Sequence, residues 1–349
     1  MFLKSVAGTA SSISEKCPRN APALAIFIVC LCLRDAGLAD PCPADEPTAT
    51  NAPAAVDVPA TANDSPAGRR IAIVLCRHPG DDDHIELFRG SVEKIRAGLT
   101  THYQFLPENI HVFMGEDADS EAGDDQNVAD ERSEATGVSA ATMSATKEVI
   151  AAKLQILKGQ MTVDDSLFVI VIGHTYFENN LAWYNLHGPD IQQKEFATLF
   201  EGLPAREQVF FVTIPCSGYY IRTLSSPGRV IITATESDLE VNETLCPHVL
   251  ADMLSAAPLV EWDLDADKHL SLFEFYIALC RGVADRYIDE TLIATEHAQL
   301  DDNADGKGSE LQQHYLTEDQ GGLPKNRQRQ QLVEGRDGMA ASKVNITSF

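Results

Sequence analysis

The sequence predicts an α/β fold, a mostly parallel sheet with helices on both faces, followed by a small helical segment toward the C-terminus. Three observations carry this expectation. From residue 70 onward, short apolar runs alternate with amphipathic stretches, the pattern of βαβ units. Two of those runs are dense enough for buried strands: residues 167–172 are continuously apolar and residues 209–214 are so except for Thr213. The apolar residues concentrate between Ile71 and Tyr287, so the folded part is expected to be smaller than the chain of 349 residues.

The elements follow in order. Residues 1–39 read as an export signal: Lys4, Lys16 and Arg19 precede an apolar run at residues 21–33, and Gly37 and Ala39 offer a cleavage site before Asp40. That run is shorter than the roughly 20 residues of a spanning helix. An exported protein is therefore expected, periplasmic, extracytoplasmic or secreted, with membrane contact only if the signal stays uncleaved. Residues 40–69, rich in Pro, Ala, Thr and Asp, read as a flexible linker.

An α/β domain is expected over residues 70–250, with strands at residues 71–76, 110–114, 167–172, 209–214 and 230–235. Phe88, Val92, Ile95 and Leu99 fall on one stripe of a helix between the first two strands. A second helix is expected after Ser144 as N-cap, with Ile150, Leu154 and Leu157 on one face, and a third over residues 195–199. Residues 115–136 are crowded with acids and lack an apolar period, which predicts an exposed insertion. Helical patterns return at residues 248–254, across the expected boundary at 250/251, and at residues 275–288, inside a segment expected over residues 251–312. Residues 313–349 are polar and predict a disordered tail.

Charge narrows the partners. A formal net charge of −25 disfavours a nucleic-acid backbone, which is bound chiefly by Lys and Arg. Cations are the expected ligands, and much of the acid also serves solubility. Beyond the signal, Cys42, Cys76, Cys216, Cys246 and Cys280 remain. An odd set without a close pairing motif argues against a disulfide framework and leaves at least one free thiol, for which Cys216 is the best candidate. Cys76 and Cys280 read as small buried hydrophobes.

Two strand ends carry reactive side chains: residues 167–172 run into Gly173-His174, and residues 209–214 run into Pro215-Cys216-Ser217-Gly218. In an open parallel sheet, chemistry gathers at the carboxyl ends of strands. A thiol needs a neighbouring base or positive field to become a thiolate. His174 is placed to be that base and Cys216 the nucleophile, with the N–H groups after His174 and at Cys216 available to hold an oxyanion.

Gly173-His174, Cys216-Ser217-Gly218 and the following strand at residues 229–235 resemble the caspase and legumain group of cysteine peptidases, over roughly half the chain. The resemblance implies a caspase-like sheet, a catalytic Cys/His dyad and hydrolysis of peptide amides in a peptide or protein substrate. It also places the exit of the first strand at the substrate pocket. Asp82 and Asp83 there would favour a basic side chain and Arg77 an acidic one, whereas acids in that position also suit the start of a helix. Trp183 and Tyr184 read as cleft-lining or, more simply, packing residues.

The chain departs from the group in two places. Thr175 stands where Gly usually follows the His. Legumains carry one more residue between the Cys and Ser-Gly, so aligning Ser217-Gly218 on theirs puts Pro215 at the nucleophile, while the caspase spacing Cys-x-Gly fits Cys216. Three readings stay open: a cysteine endopeptidase, a catalytically inactive calcium-binding scaffold or interaction module, and a different doubly wound domain holding a small ligand.

Residues 263–274 match the ligand pattern of an EF-hand calcium loop, which takes oxygens from positions 1, 3, 5, 7, 9 and 12. Those positions are Asp263, Asp265, Asp267, the His269 carbonyl, Ser271 and Glu274, and Leu270 fills the apolar eighth. Ca2+ is the expected cofactor. Lys268 occupies the sixth position, normally Gly, where φ is positive at a cost of roughly 1–2 kcal/mol. Pro258 and Trp262 make a regular entering helix doubtful. A second loop at residues 301–312 has Gly306 in place, but Gly308 replaces the apolar residue and Gln312 the closing carboxylate, so it reads as an acidic turn without metal.

Overall fold

A computed structural model of the chain describes residues 68–77, 82–115, 142–237, 240–327 and 331–349, with the side chains of residues 82 and 83 outside that description. The export signal, the linker up to residue 67 and residues 116–136 of the acidic insertion lie outside the described residues.

Strand β1 (Arg70–Cys76) leads into α1 (Asp82–His102), β2 (Ile110–Met114) and β3 (Met143–Ser144). After α2 (Lys147–Gln160), β4 (Ser166–Ile172) is followed by three short strands, β5 (Thr175–Glu178), β6 (Leu181–Tyr184) and β7 (Ile191–Gln192). Then come α3 (Gln193–Leu199), β8 (Glu207–Val212), α4 (Gly218–Leu224), β9 (Arg229–Thr233) and α5 (Cys246–Ser255). The chain finishes with β10 (His269–Ser271), α6 (Leu272–Asp289), β11 (Gln299–Asp301) and β12 (Asn345–Ser348).

The main sheet has seven strands in the order β11-β9-β8-β4-β1-β2-β3, all parallel except the antiparallel edge strand β11. Chain direction reverses its spread at β1: β2 and β3 lie to one side, β4, β8 and β9 to the other. The crevice for a ligand in such a sheet is expected beyond the carboxyl ends of β1 and β4. Arg77 and Gly173-His174 leave the sheet there.

Side-chain alternation builds two apolar layers. Ala72, Val74, Phe168, Ile170, Val209 and Phe211 pack with α1, α5 and α6. Ile71, Ile73, Val169, Val171, Phe210 and Val212 pack with α2, α3 and α4. The predicted stripe of α1 is buried, Phe88, Val92, Ile95 and Leu99 all facing the first layer. No helix among the described residues is long and apolar enough to cross a membrane.

Local details depart from the sequence reading. Ser144 is not the cap of α2, because it pairs with Met114 as the last sheet edge; the cap is Thr146, whose Oγ1 accepts the Val149 N–H at 3.3 Å. The segment over residues 251–312 is not an appended unit. Helix α6 buries Phe275, Tyr276 and Leu279 in the same layer as α1 and α5, and Leu300 of β11 extends the sheet beside Ile232.

Residues 313–349 were expected to be disordered, yet β12 pairs antiparallel with β10, Leu270 opposite Thr347. Arg70 adds hydrogen bonds to the carbonyls of Asn345 at 3.1 Å and Ile346 at 2.5 Å, and Thr347 Oγ1 donates to the His102 carbonyl. A polar tail with few apolar residues is thus held by backbone pairing, by an Arg from the first strand and by scattered buried residues such as Ala341 and Ile346, none of which leaves an apolar period.

Candidate functional site

Gly173 is required where β4 ends. Its φ is +135°, and a Cβ there would stand 2.5 Å from the Arg77 Cβ. The chain then enters β5 at Thr175 and turns through Asn179 and Asn180, both left-handed at φ 54° and 62°, into β6. Asn tolerates that region better than most residues. This hairpin explains Thr175: its hydroxyl donates to the Pro215 carbonyl and ties the end of β4 to the end of β8.

The imidazole of His174 lies over α1. Its ring centre is 5.4 Å from Phe88 and 5.3 Å from His84, the latter edge-on at 76°. Cys216, by contrast, is buried at 0 % exposure within the opposite layer, among the residues that pack with α4. The two strands alternate in step, so residues 168, 170 and 172 lead His174 to the first layer while residues 210, 212 and 214 lead Cys216 to the second.

The backbone at Cys216 is also committed. Its φ is +56°, and its N–H donates to the Glu240 carbonyl at 2.9 Å. The Cys216 N–H, expected as an oxyanion donor, is therefore already used. Burial first, and the Glu240 carboxylate second, push the thiol up to about 11, away from the thiolate a nucleophile needs. Ser217 points inward as well: its hydroxyl meets Thr235 Oγ1 at 3.0 Å and accepts the Thr235 N–H at 2.9 Å. Gly218 permits the tight turn beneath, since a Cβ would lie 2.3 Å from the Glu236 carbonyl carbon and 2.5 Å from the Ser237 nitrogen.

Arg77 is half-buried at the crevice, where burial lowers its pKa and Asp190 opposes that. Asp82 and Asp83 lie in the first turn of α1. Tyr184 is a packing residue, fully buried, with its hydroxyl donating to the carbonyls of Leu75 and Ile172. Trp183 stacks on Tyr176 at 6.1 Å and 4°.

The fold adds partners that the sequence reading missed. His84 Nε2 is 3.1 Å from the Glu243 carboxylate, and ligand atoms of His84, His174 and Glu243 all lie within 4.8 Å of one another. Two imidazoles and a carboxylate are donors of the kind that hold zinc and related ions. His174 was singled out along the sequence as the residue after β4; of the two added partners, His84 stands early in α1 and Glu243 arrives from a loop, neither with a motif of its own.

In the first acidic loop, candidate ligand oxygens of Asp263, Asp265 and Asp267 lie within 4.8 Å of one another. Lys268 takes the left-handed conformation expected of the sixth position, φ 68°, and Ala266 does so too at 62°. The Asp263 carboxylate accepts the N–H groups of Asp267 at 3.1 Å and Lys268 at 3.0 Å. Glu274 is buried and serves the capping box of α6: Oε2 accepts from the Ser271 N–H and hydroxyl, while Oε1 accepts the Leu264 N–H at 2.7 Å. Closing on a cation from there requires trading the Leu264 bond for a metal–oxygen bond. His269 lies on β10, its ring nitrogen 2.9 Å from Ser348 Oγ. Before the loop there is only a short 3₁₀ turn (Val260–Trp262), so the motif has an exiting helix and no regular entering one. The carboxylate set fits a hard cation such as Ca2+.

No protein-family model matches the chain, and neither does any of the curated proteins searched. Fold and local geometry therefore define the class: an α/β protein with a mostly parallel sheet, a histidine and a buried cysteine just beyond its strand ends, and acidic loops further along the chain.

Proposed function

We propose that this protein is a calcium-binding, non-catalytic relative of the caspase and legumain-like peptidases, a scaffold or interaction module rather than a working cysteine endopeptidase. The observation that carries the reading is the state of Cys216: fully buried, left-handed, its N–H given to Glu240 and its thiol raised to about 11. The alternative alignment, with Pro215 at the nucleophile, leads to the same conclusion because proline has no nucleophilic side chain. A peptide or protein ligand remains the expected occupant of the crevice beyond β1 and β4. Ca2+ held by Asp263, Asp265, Asp267, the His269 carbonyl, Ser271 and Glu274 would brace the loop against α6 and β12. An exported location follows from the N-terminal pattern and favours calcium, which is abundant outside cells.

The test is labelling of the purified protein with a thiol-reactive peptide electrophile, beside Cys216→Ala and His174→Ala. Cys216 is expected to react no faster than a free thiol, with no effect of His174→Ala. Labelling about a hundredfold faster and dependent on His174 would restore the endopeptidase reading. For the metal, melting is followed through a calcium titration of wild type and Glu274→Gln; equal responses would remove the first loop from the proposal.

A further inference from the structure

The second acidic loop repeats the geometry of the first. Position 4 is left-handed in both, Ala266 at φ 62° and Ala304 at 64°, and so is position 6, Lys268 at 68° and Gly306 at 74°. The N–H groups of Asp267 and His269 donate to Asp265 and Asp267; in the same register those of Asp305 and Lys307 donate to Asn303 and Asp305, each at 2.9 Å. One feature differs. Asp263 is occupied by the N–H groups of its own loop, whereas in the second loop the Gly306 N–H goes to Ser225 Oγ at 3.0 Å.

Asp301 is consequently left with 1 % exposure and both carboxylate oxygens buried without a hydrogen-bond partner of normal geometry. A buried, unpartnered carboxylate is costly and calls for a compensating charge. The Ser225 hydroxyl and the Ala304 N–H face it without normal hydrogen-bond geometry, and the charges of Asp337 and Asp305 add repulsion. A cation removes all of these penalties together.

Gln312, at the closing position, is turned away: its Nε2 donates to the Ala298 carbonyl at 2.8 Å and its Oε1 accepts from the Tyr276 hydroxyl. Another carboxylate has arrived instead. Asp302 accepts the N–H groups of Gly338 at 3.0 Å and Ala341 at 2.6 Å, which draws the C-terminal segment onto the loop. Asp337 is thereby held at 7 % exposure, accepting the Asp302 N–H at 3.3 Å and the Ser309 hydroxyl. Asn303, Asp305, Ser309 and Asp337 border one open cleft.

We propose that Asp301, Asn303, Asp305 and the Lys307 carbonyl form a second site for a hard divalent cation of calcium type, with Asp337 supplying the closing carboxylate that Gln312 lacks. This site does not depend on metal in the first loop, and the test separates them. Calcium binding is measured by isothermal titration and by calcium-dependent melting in the full chain and in Glu274→Gln, Asp301→Asn, Asp337→Asn and the Glu274→Gln/Asp301→Asn double variant. Glu274→Gln is expected to keep one calcium, and the double variant none. Asp337→Asn is expected to weaken the retained site by about tenfold or more, the effect of neutralising one coordinating carboxylate. Asp301→Asn removes a buried charge without changing shape, so it is expected to melt higher than wild type in the absence of calcium and to lose part of the calcium-induced rise. The same stoichiometry and calcium-induced rise in Asp301→Asn as in wild type, or full-affinity binding in Asp337→Asn, would overturn the proposal. Should Asp301→Asn fail to fold, Asn303→Ala at the loop surface reads the same site.

Discussion

The Cys216 N–H donates to the Glu240 carbonyl at 2.9 Å, and the Glu240 carboxylate in turn accepts the N–H groups of Glu236 at 2.8 Å and His297 at 3.2 Å. The turn after β8 is thus pinned to the loop after β9 through its backbone. That bond and the burial of the side chain have the same consequence: the thiol sits in a packed turn, not at the mouth of a cleft.

Alkylation of Cys216 by a small reagent is accordingly expected to be slow at neutral pH and to keep rising as pH approaches about 11. Mass spectrometry of the labelled peptide, with Cys216→Ser as the blank, reads the profile. A plateau below about pH 8 would mean an activated thiolate and contradict the expectation.

Gly218→Ala is expected to destabilise the protein by about 3 kcal/mol or more, the range of substitutions that force backbone apart. The added Cβ would meet backbone atoms of Glu236 and Ser237 at 2.3–2.7 Å, which no side-chain rotation relieves. Thermal or urea melting measures it; a loss within experimental error would mean that the loop after β9 moves freely.

Lys268→Gly is expected to stabilise the first loop by up to about 1 kcal/mol, because glycine adopts the left-handed conformation without a Cβ penalty. With φ at 68° in the native loop, the gain is expected with and without calcium. Melting in chelator and in calcium decides it, and lower stability in both would assign the lysine side chain a packing role.

Glu296 sets an expected pH dependence. It accepts the N–H groups of Leu245 at 2.5 Å and Cys246 at 3.1 Å and the Tyr287 hydroxyl at 2.7 Å, yet burial dominates and raises its pKa from 4.5 to about 7. The folded state therefore keeps a proton that the unfolded chain has already released. Between about pH 4.5 and 7 this group's contribution to stability falls as pH rises. Glu296→Gln is expected to flatten that part of the melting-temperature profile, and an unchanged slope would assign it to other groups.

Much of the sheet was legible in the residues. Apolar-rich runs located β1, β2, β4, β8 and β9 to within a few residues, because a strand covered on both faces has little room for polar side chains. The α1 stripe was legible for a related reason: one wet face and one dry face leave a period. The hairpin of β5 and β6 and the last strand β12 were not. They are short and partly exposed, and backbone pairing, which is blind to side-chain type, holds them together with only a few buried apolar residues, Ala182, Tyr184 and Ile346.

The sequence by itself determined that the chain has a layered α/β core, places His174 and Cys216 at strand ends and carries a first loop with regularly spaced acids. Only the tertiary structure decided which layer each strand end enters. Strand alternation sends His174 toward α1 and Cys216 among the residues that pack with α4, although the two motifs read alike along the chain. It also decided what surrounds each acid. Spacing along a loop sets which oxygens can converge, but whether Asp301 is left without a partner and Asp337 is held against Asp302 and Ser309 depends on contacts between residues far apart in the chain.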